Sequence, residues 1–311
     1  MKHSNLETAL TLLVTMIPET EGIYAYGSGA IKQPGYEEKD KKQYDLIIVV
    51  DDIEKWHKEN LRKTPEMYSW TAKNYFQMAS KEKQKWGTPI CFITYVKVFN
   101  QEFKLGIVEK NDVIEDLKNW NSFLLAGRFQ KEMLPIQEDE EVKEANELNR
   151  NNAMTIALLT LEKETATKEE VCKNLFQLSY YGEFRNSVGA ENPNKVNNLV
   201  RGSFNYFIKN YSFLDKVKEN ADGTITRNYT TLLNHIKELP DDLKIRLYQI
   251  IDGSNDYEEM KKVIRKEIIH YFEEKNKSSS FKQAVKGVLT TGVINSIQYA
   301  KSKFEKGRKR S

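Results

Sequence analysis

The residues best suited to chemistry lie near the start of the chain. A strand-like segment, Gly22 to Tyr26, runs straight into Gly27-Ser28-Gly29, and the next apolar segment, Tyr44 to Val50, carries Asp45 at its head. A Gly-Ser turn presents backbone N–H groups that can cradle a phosphate. A carboxylate opening the neighbouring strand can hold Mg2+ against that phosphate. By itself the pair is a weak signal, because Gly-Ser turns are common. No GxGxxG or GxxxxGK[ST] pattern follows the turn, so dinucleotide and P-loop readings lose their main support.

The elements around this pair can be read from periodicity. Leu6, Leu10, Leu13 and Ile17 recur at helical spacing until Pro18. YDLIIVV (residues 44–50) is nearly continuous in apolar, β-branched character, which predicts a strand buried on both faces in the middle of a sheet. Helical patterns cover 56–63 and 69–85. Segments 90–98 and 102–108 read as a hairpin turning at Asn100-Gln101. Asp112 begins a further helix. From Glu138 to His270 the pattern is mainly helical, with polar breaks at 189–194 and 221–226. Strand signals mostly stop near Pro135, where an acidic patch, Glu138 to Glu141, follows. The expected division is 1–135, 136–275 and a tail, 276–311.

The chain has 311 residues, 39% of them hydrophobic, enough for a sizeable core. Formal net charge is only +3, but the tail carries nine Lys or Arg against Glu305 alone, which leaves the body mildly acidic. Such asymmetry points to a localised polyanion contact. Within the tail, Ser278 to Ser280 reads as an N-cap or hinge. Beyond it Phe281, Val285, Leu289, Val293, Ile297, Ala300 and Phe304 step by three or four, with Lys282 and Lys286 flanking the stripe. That pattern suits either a helix packed on the body or one lying on an anionic lipid surface. The terminal GRKRS favours lipid, where each nearby basic residue adds about 1 kcal/mol. The longest apolar runs fall short of the roughly 20 residues of a bilayer span, and no signal or transit pattern opens the chain. Cys91 and Cys172 are distant and flanked by no CxxC, which suggests a reducing compartment.

The strings YGSGAIKQPGY, YDLIIVV, WHKENLRKTPEMYS, FKLGIV, IEDLKNWNSFLLAGRFQK, LSYYGEFR, GAENPNKVNNLV and SSFKQAVKGVLTTGVINSIQYA follow one another from about residue 24 to about 301. In these the chain resembles the mitochondrial-type phosphatidate cytidylyltransferases, the translocator assembly and maintenance family. The resemblance implies an α+β fold: a nucleotidyltransferase-like mixed sheet with helices, then a mainly helical winged-helix-like domain and a C-terminal amphipathic helix. It implies transfer of CMP from CTP to phosphatidic acid, giving CDP-diacylglycerol and pyrophosphate with Mg2+ as cofactor. The implied partners are CTP, phosphatidic acid and an anionic membrane surface, with no nucleic acid expected.

Carried over residue by residue, the resemblance puts Gly27 and Ser28 on the nucleotide phosphates, makes Asp45 the metal ligand and sets Lys104 in the same site. His57 and Asn60, one helical turn apart, could contact nucleotide or merely cap and pack. Arg128 and Lys131 are candidates for the phosphate of either substrate, and Glu183 with Arg185 for lining a cleft, although each could form a salt bridge instead. Membrane contact falls to Phe281, Lys282, Val285, Lys286, Leu289, Val293, Ile297 and Phe304.

Nucleotidyltransferases usually aim two carboxylates at one metal pair from alternate strand positions, but position 47 is Ile and Asp51 is about 20 Å along the strand from Asp45. Asp116 or Glu183 could supply the second ligand, or Lys104 could replace part of the metal's charge. The expected location is peripheral, at a bacterial cytoplasmic face or the matrix side of a mitochondrial inner membrane. Two alternatives stand beside this reading: a nucleotidyltransferase with a soluble acceptor, and a non-catalytic membrane adaptor.

Overall fold

The computed structural model describes residues 2–31, 43–182 and 194–291. They fall into two compact units, each built from separated stretches of chain. The first comprises 1–114, 133–143 and 279–311; the second comprises 115–132 and 144–278.

The first unit is organised by a five-stranded mixed sheet in the order β3-β4-β2-β1-β5. Its strands are β1 (Gly22–Tyr26), β2 (Gln43–Val50), β3 (Cys91–Val98), β4 (Gln101–Glu109) and β5 (Met133–Gln137). The run YDLIIVV occupies the central strand, as its unbroken apolar character predicts, and Leu46 to Val50 are all buried. β2 pairs antiparallel with β1 and parallel with β4, while β3 and β4 form the expected hairpin.

One face of the sheet carries Ile23, Ala25, Leu46, Ile48, Val50, Phe103, Leu105 and Ile107 into the main core. That core is closed by α1 (Lys2–Met16) through Ala9 and Leu13, by α3 (Ile53–Lys63) through Ile53 and Trp56, and by Phe76 of α4 (Trp70–Met78). Between β1 and β2 lies the short α2 (Gly27–Ala30). The helical pattern over 69–85 is broken at Ala79-Ser80, so that α4 is followed by a separate α5 (Lys81–Lys85).

His57 and Asn60 belong to this core, which corrects their reading as nucleotide contacts. Both are fully buried. The Tyr68 hydroxyl lies 2.9 Å from His57 Nδ1 and accepts a bond from Asn60 Nδ2 at 3.0 Å. The His57 ring stacks on Phe76 at 3.7 Å between centroids. By strand alternation this cluster sits on the opposite side of the sheet from Asp45. The bland alternative, packing, is what the sequence spacing meant.

The second unit is mainly helical, with a small antiparallel sheet of β6 (Thr165–Ala166), β8 (Ile225–Arg227) and β7 (Val217–Glu219) in that order. The expected boundary near Pro135 does not divide the contacts. Residues 133–137 add the edge strand β5 to the first sheet, whereas 115–132 pack into the second unit. The reason is aromatic: Trp120 and Phe123, both fully buried, stack against Phe272 with centroids 5.5 and 4.6 Å away.

Asp116, offered above as a second metal ligand, is occupied otherwise. Its carboxylate accepts bonds from the backbone N–H of Ser122, Phe123, Leu125 and Ala126 and from the Ser122 hydroxyl, so it holds the 120–126 loop.

A C-terminal helix, Tyr257–Thr291, runs unbroken through Ser278 to Ser280, so those serines do not cap a new helix. Within the first unit its later turns lodge against the segment after α5. Lys286, expected at a membrane, is instead almost fully buried and its Nζ donates to the Thr88 carbonyl at 2.6 Å. Burial pushes the Lys286 ammonium below the usual lysine range.

Burial, with repulsion from Lys286 as a smaller contribution, holds the imidazole pKa of His57 well below its ordinary value near 6.5. The unfolded chain therefore takes up this proton first. Stability conferred by the neutral, buried ring is complete above pH 6.5 and declines as pH falls toward the folded-state value, at up to about 1.4 kcal/mol per pH unit. Denaturant melts between pH 7.5 and 5 should show that decline, and a His57→Asn variant should flatten it. An identical slope in the variant would mean His57 is not held neutral.

Candidate active site

β2 places Asp45 where three elements meet. In register it stands opposite Tyr26 of β1 on one side and Lys104 of β4 on the other. Residues registered across a parallel pair point to the same face, so Asp45 and Lys104 emerge together on the face away from the main core. Lys104 Nζ lies 3.9 Å from Asp45 Oδ1, and both side chains are mostly but not fully covered. They remain within reach of a ligand.

The turn after β1 supplies the third part. Gly27 has φ +76, a left-handed conformation, and a Cβ built on it would sit 3.3 Å from Asp45 Oδ2. The conformation favours glycine, and the missing side chain lets the turn lie close against the carboxylate. Gly29 is equally constrained, since a Cβ there would fall 2.7 Å from the Gln43 carbonyl. Ser28, between them, is half-buried.

Sequence reasoning missed what holds Lys104. Its ammonium lies over the Phe92 ring, 4.2 Å from the centroid. Phe92 pairs with Gly106, and a Cβ on Gly106 would meet the ring at 2.7 Å. Two residues after Lys104, the glycine in FKLGIV therefore leaves room for the ring beneath the lysine. That glycine was the available signal.

Asp45 offers one carboxylate. Among the described residues no group of three or more His, Cys, Asp or Glu is placed to hold a metal ion. Mg2+ commonly takes one or two carboxylates and completes its octahedron with water and substrate phosphates. One partly exposed carboxylate beside a glycine turn fits that donor pattern.

Arg128 and Lys131 belong to the second unit, where Arg128 Nη1 donates to the Leu124 carbonyl at 2.6 Å. Lys131 Nζ donates to the Gly127 carbonyl and to Ser179 Oγ at 2.6 and 2.7 Å. Glu183 and Arg185 lie outside the described residues, as do Val293, Ile297, Phe304 and the side chain of Leu289. Of the tail residues that are described, Phe281 and Val285 are exposed, with Lys282 beside them. Over these turns the helix directs Phe281 and Val285 outward and Lys286 inward. No helix among the described residues is long and apolar enough to cross a membrane.

The sequence profile of the family described as "Phosphatidate cytidylyltransferase, mitochondrial" matches residues 10–306. The protein of that name from Schizosaccharomyces pombe is 32% identical over 91% of this chain and 79% of its own length. Its namesake from Saccharomyces cerevisiae is 31% identical over 93% and 67%. The one from Caenorhabditis elegans is 28% identical over 94% and 97%. A solved nucleotidyltransferase-like protein from Exiguobacterium sibiricum aligns with 93% of this chain and 77% of its own at 14% identity and a TM-score of 0.27, too weak a likeness for a comparison of folds. With a family profile spanning nearly the whole chain and relatives matched along most of their length, this chain belongs to the mitochondrial-type phosphatidate cytidylyltransferase family, a family of nucleotidyltransferases that act on lipid.

Proposed function

We propose that the protein transfers CMP from CTP to phosphatidic acid at an anionic membrane surface, releasing pyrophosphate and CDP-diacylglycerol. The observation that carries this reading is the convergence of the Gly27 turn, Asp45 and Lys104 at one end of the central strands, in a chain of this family. The exposed Phe281 and Val285 favour a lipid acceptor over a soluble one. We further propose that the small sheet and helices of the second unit form the winged-helix-like domain.

A phosphate oxygen of phosphatidic acid attacks the α-phosphorus of CTP. That P–O bond forms as the bridging bond to the β-phosphate breaks, and pyrophosphate carries away the electron pair. A phosphomonoester with its second pKa near ~6 is largely ionised at neutral pH, so the nucleophile needs no dedicated base. What remains for the protein is positioning and charge neutralisation.

Backbone N–H groups of Gly27 and Ser28 bind the triphosphate. Asp45 would hold Mg2+, which when bound would supply charge neutralisation for the phosphates. Lys104, steadied over Phe92, stabilises charge developing on the leaving group.

In assays with CTP, Mg2+ and phosphatidic acid vesicles, Asp45→Asn should lower turnover by about a hundredfold or more and leave the melting temperature within about 2 °C. Near-normal pyrophosphate release would remove Asp45 from the site. Lys104→Ala should lower kcat by about ten- to a hundredfold while CTP affinity changes less than about threefold, because the cation acts mainly in the transition state. A raised KM at constant kcat would instead assign it to ground-state binding.

Truncation after Thr291 leaves Lys286 and its contact with Thr88 in place. It should weaken vesicle binding and its dependence on salt while CTP binding survives. Unaltered cosedimentation with phosphatidic acid vesicles would contradict a lipid role for the basic terminus.

A further inference from the structure

Among the described residues, the most exposed large apolar side chains include Met78 (83%), Trp70 (77%), Phe281 (60%) and Trp86 (56%). Three of these four lie within α4, α5 and the residue that follows, and the fourth opens the exposed stripe of the C-terminal helix. Scattered exposed apolar residues need no explanation, but two tryptophans and a methionine left open within one 17-residue stretch do. The chain has four tryptophans, and it buries the other two, Trp56 and Trp120.

The two parts of this surface adjoin. The Tyr75 hydroxyl of α4 donates to the Lys83 carbonyl of α5 at 2.8 Å, tying these helices together. Trp86 then leads into Gly87, whose φ is +80 and whose missing Cβ would stand 3.4 Å from Cβ of Lys282. Thr88 Oγ1 donates to Gln283 Oε1 at 2.6 Å. Trp86 is therefore one residue from the point where Lys282 and Gln283 of the tail helix meet the segment after α5.

We propose that α4, α5 and Trp86 form a second lipid-docking element, continuous with Phe281 and Val285, so that the nucleotidyl-transferring unit itself rests on an anionic bilayer. The inference deepens the activity proposed above and takes from it the reason for meeting lipid. Tryptophan has an apolar body and a polar N–H, and it settles at the level of headgroups. Lys83 and Lys282 are exposed beside it, in position for lipid phosphates. A face shared by two copies of the chain would be expected to carry fewer lysines, since lysine is depleted from protein interfaces.

The test uses the full chain and vesicles of phosphatidylcholine with phosphatidic acid, some carrying brominated acyl chains. On binding, tryptophan emission should shift to the blue and be quenched by bromine. Trp70→Ala with Trp86→Ala should weaken cosedimentation by about tenfold or more, with an unchanged melting temperature and unchanged turnover of short-chain, dispersed phosphatidic acid.

The inference is overturned if vesicle-bound wild-type protein is not quenched, or if the double variant binds vesicles as well as wild type. It is equally overturned if the blue shift appears with rising protein concentration in the absence of vesicles, which would make this face a contact between copies. Should quenching occur as expected while no CDP-diacylglycerol forms, the docking surface stands and the proposed activity falls.

Discussion

The first sheet is assembled on β2, which is buried on both faces through Leu46 to Val50 and pairs with β1 on one side and β4 on the other. Everything at the candidate site depends on that register. Shifted by one residue, Asp45 would turn toward the packed side that Leu46 and Ile48 now occupy, and the carboxylate would lose both the Gly27 turn and Lys104. The apolar half of the strand thus determines the placement of its polar first residues. Gly106 contributes from the neighbouring strand, since the space it leaves open is filled by the ring on which the Lys104 ammonium rests.

Much of this was legible in residue order. Unbroken β-branched character marked the central strand, and a Gly-Ser turn followed by Asp45 marked the place where phosphate chemistry could occur. What could not be read was which of several equally spaced polar residues would face a core. His57 and Asn60 sit one helical turn apart, a spacing that serves a ligand or a buried hydrogen-bond cluster equally well. The choice depended on Tyr68 and Phe76 arriving from later in the chain.

Asp116 was illegible for a similar reason: its five donors come from a loop whose shape rests on Trp120 and Phe123 finding Phe272. Lys286 was misread because a lysine between apolar residues normally lies outside. The Thr88 carbonyl, far away in sequence, helps make the interior position tolerable.

The tail helix then has a less simple amphipathic character than its periodicity suggested. Its early turns bury Ile264, Ile268 and Phe272, but over its last described turns the buried side chains are Ser279 and Lys286, while Phe281 and Val285 face outward. A helix anchored by hydrogen bonds can present an apolar edge without that edge doing the anchoring. The orientation of the exposed stripe is therefore set inside the protein, before any surface is met.

The assembly of the first unit from residues near both ends of the chain bears on how the protein is made. The Lys286 to Thr88 bond spans 198 residues, and the carbonyl that accepts it belongs to the segment leading into β3. During synthesis the sheet strands emerge long before the helix turn that completes their unit. A ribosome adding about 5–20 residues per second leaves an interval of ten seconds or more in which Thr88 and the core beside it await their partner. In that interval the entire second unit is synthesised. Such an order favours early, independent folding of the helical unit and makes closure of the sheet-bearing unit the last, long-range step of maturation.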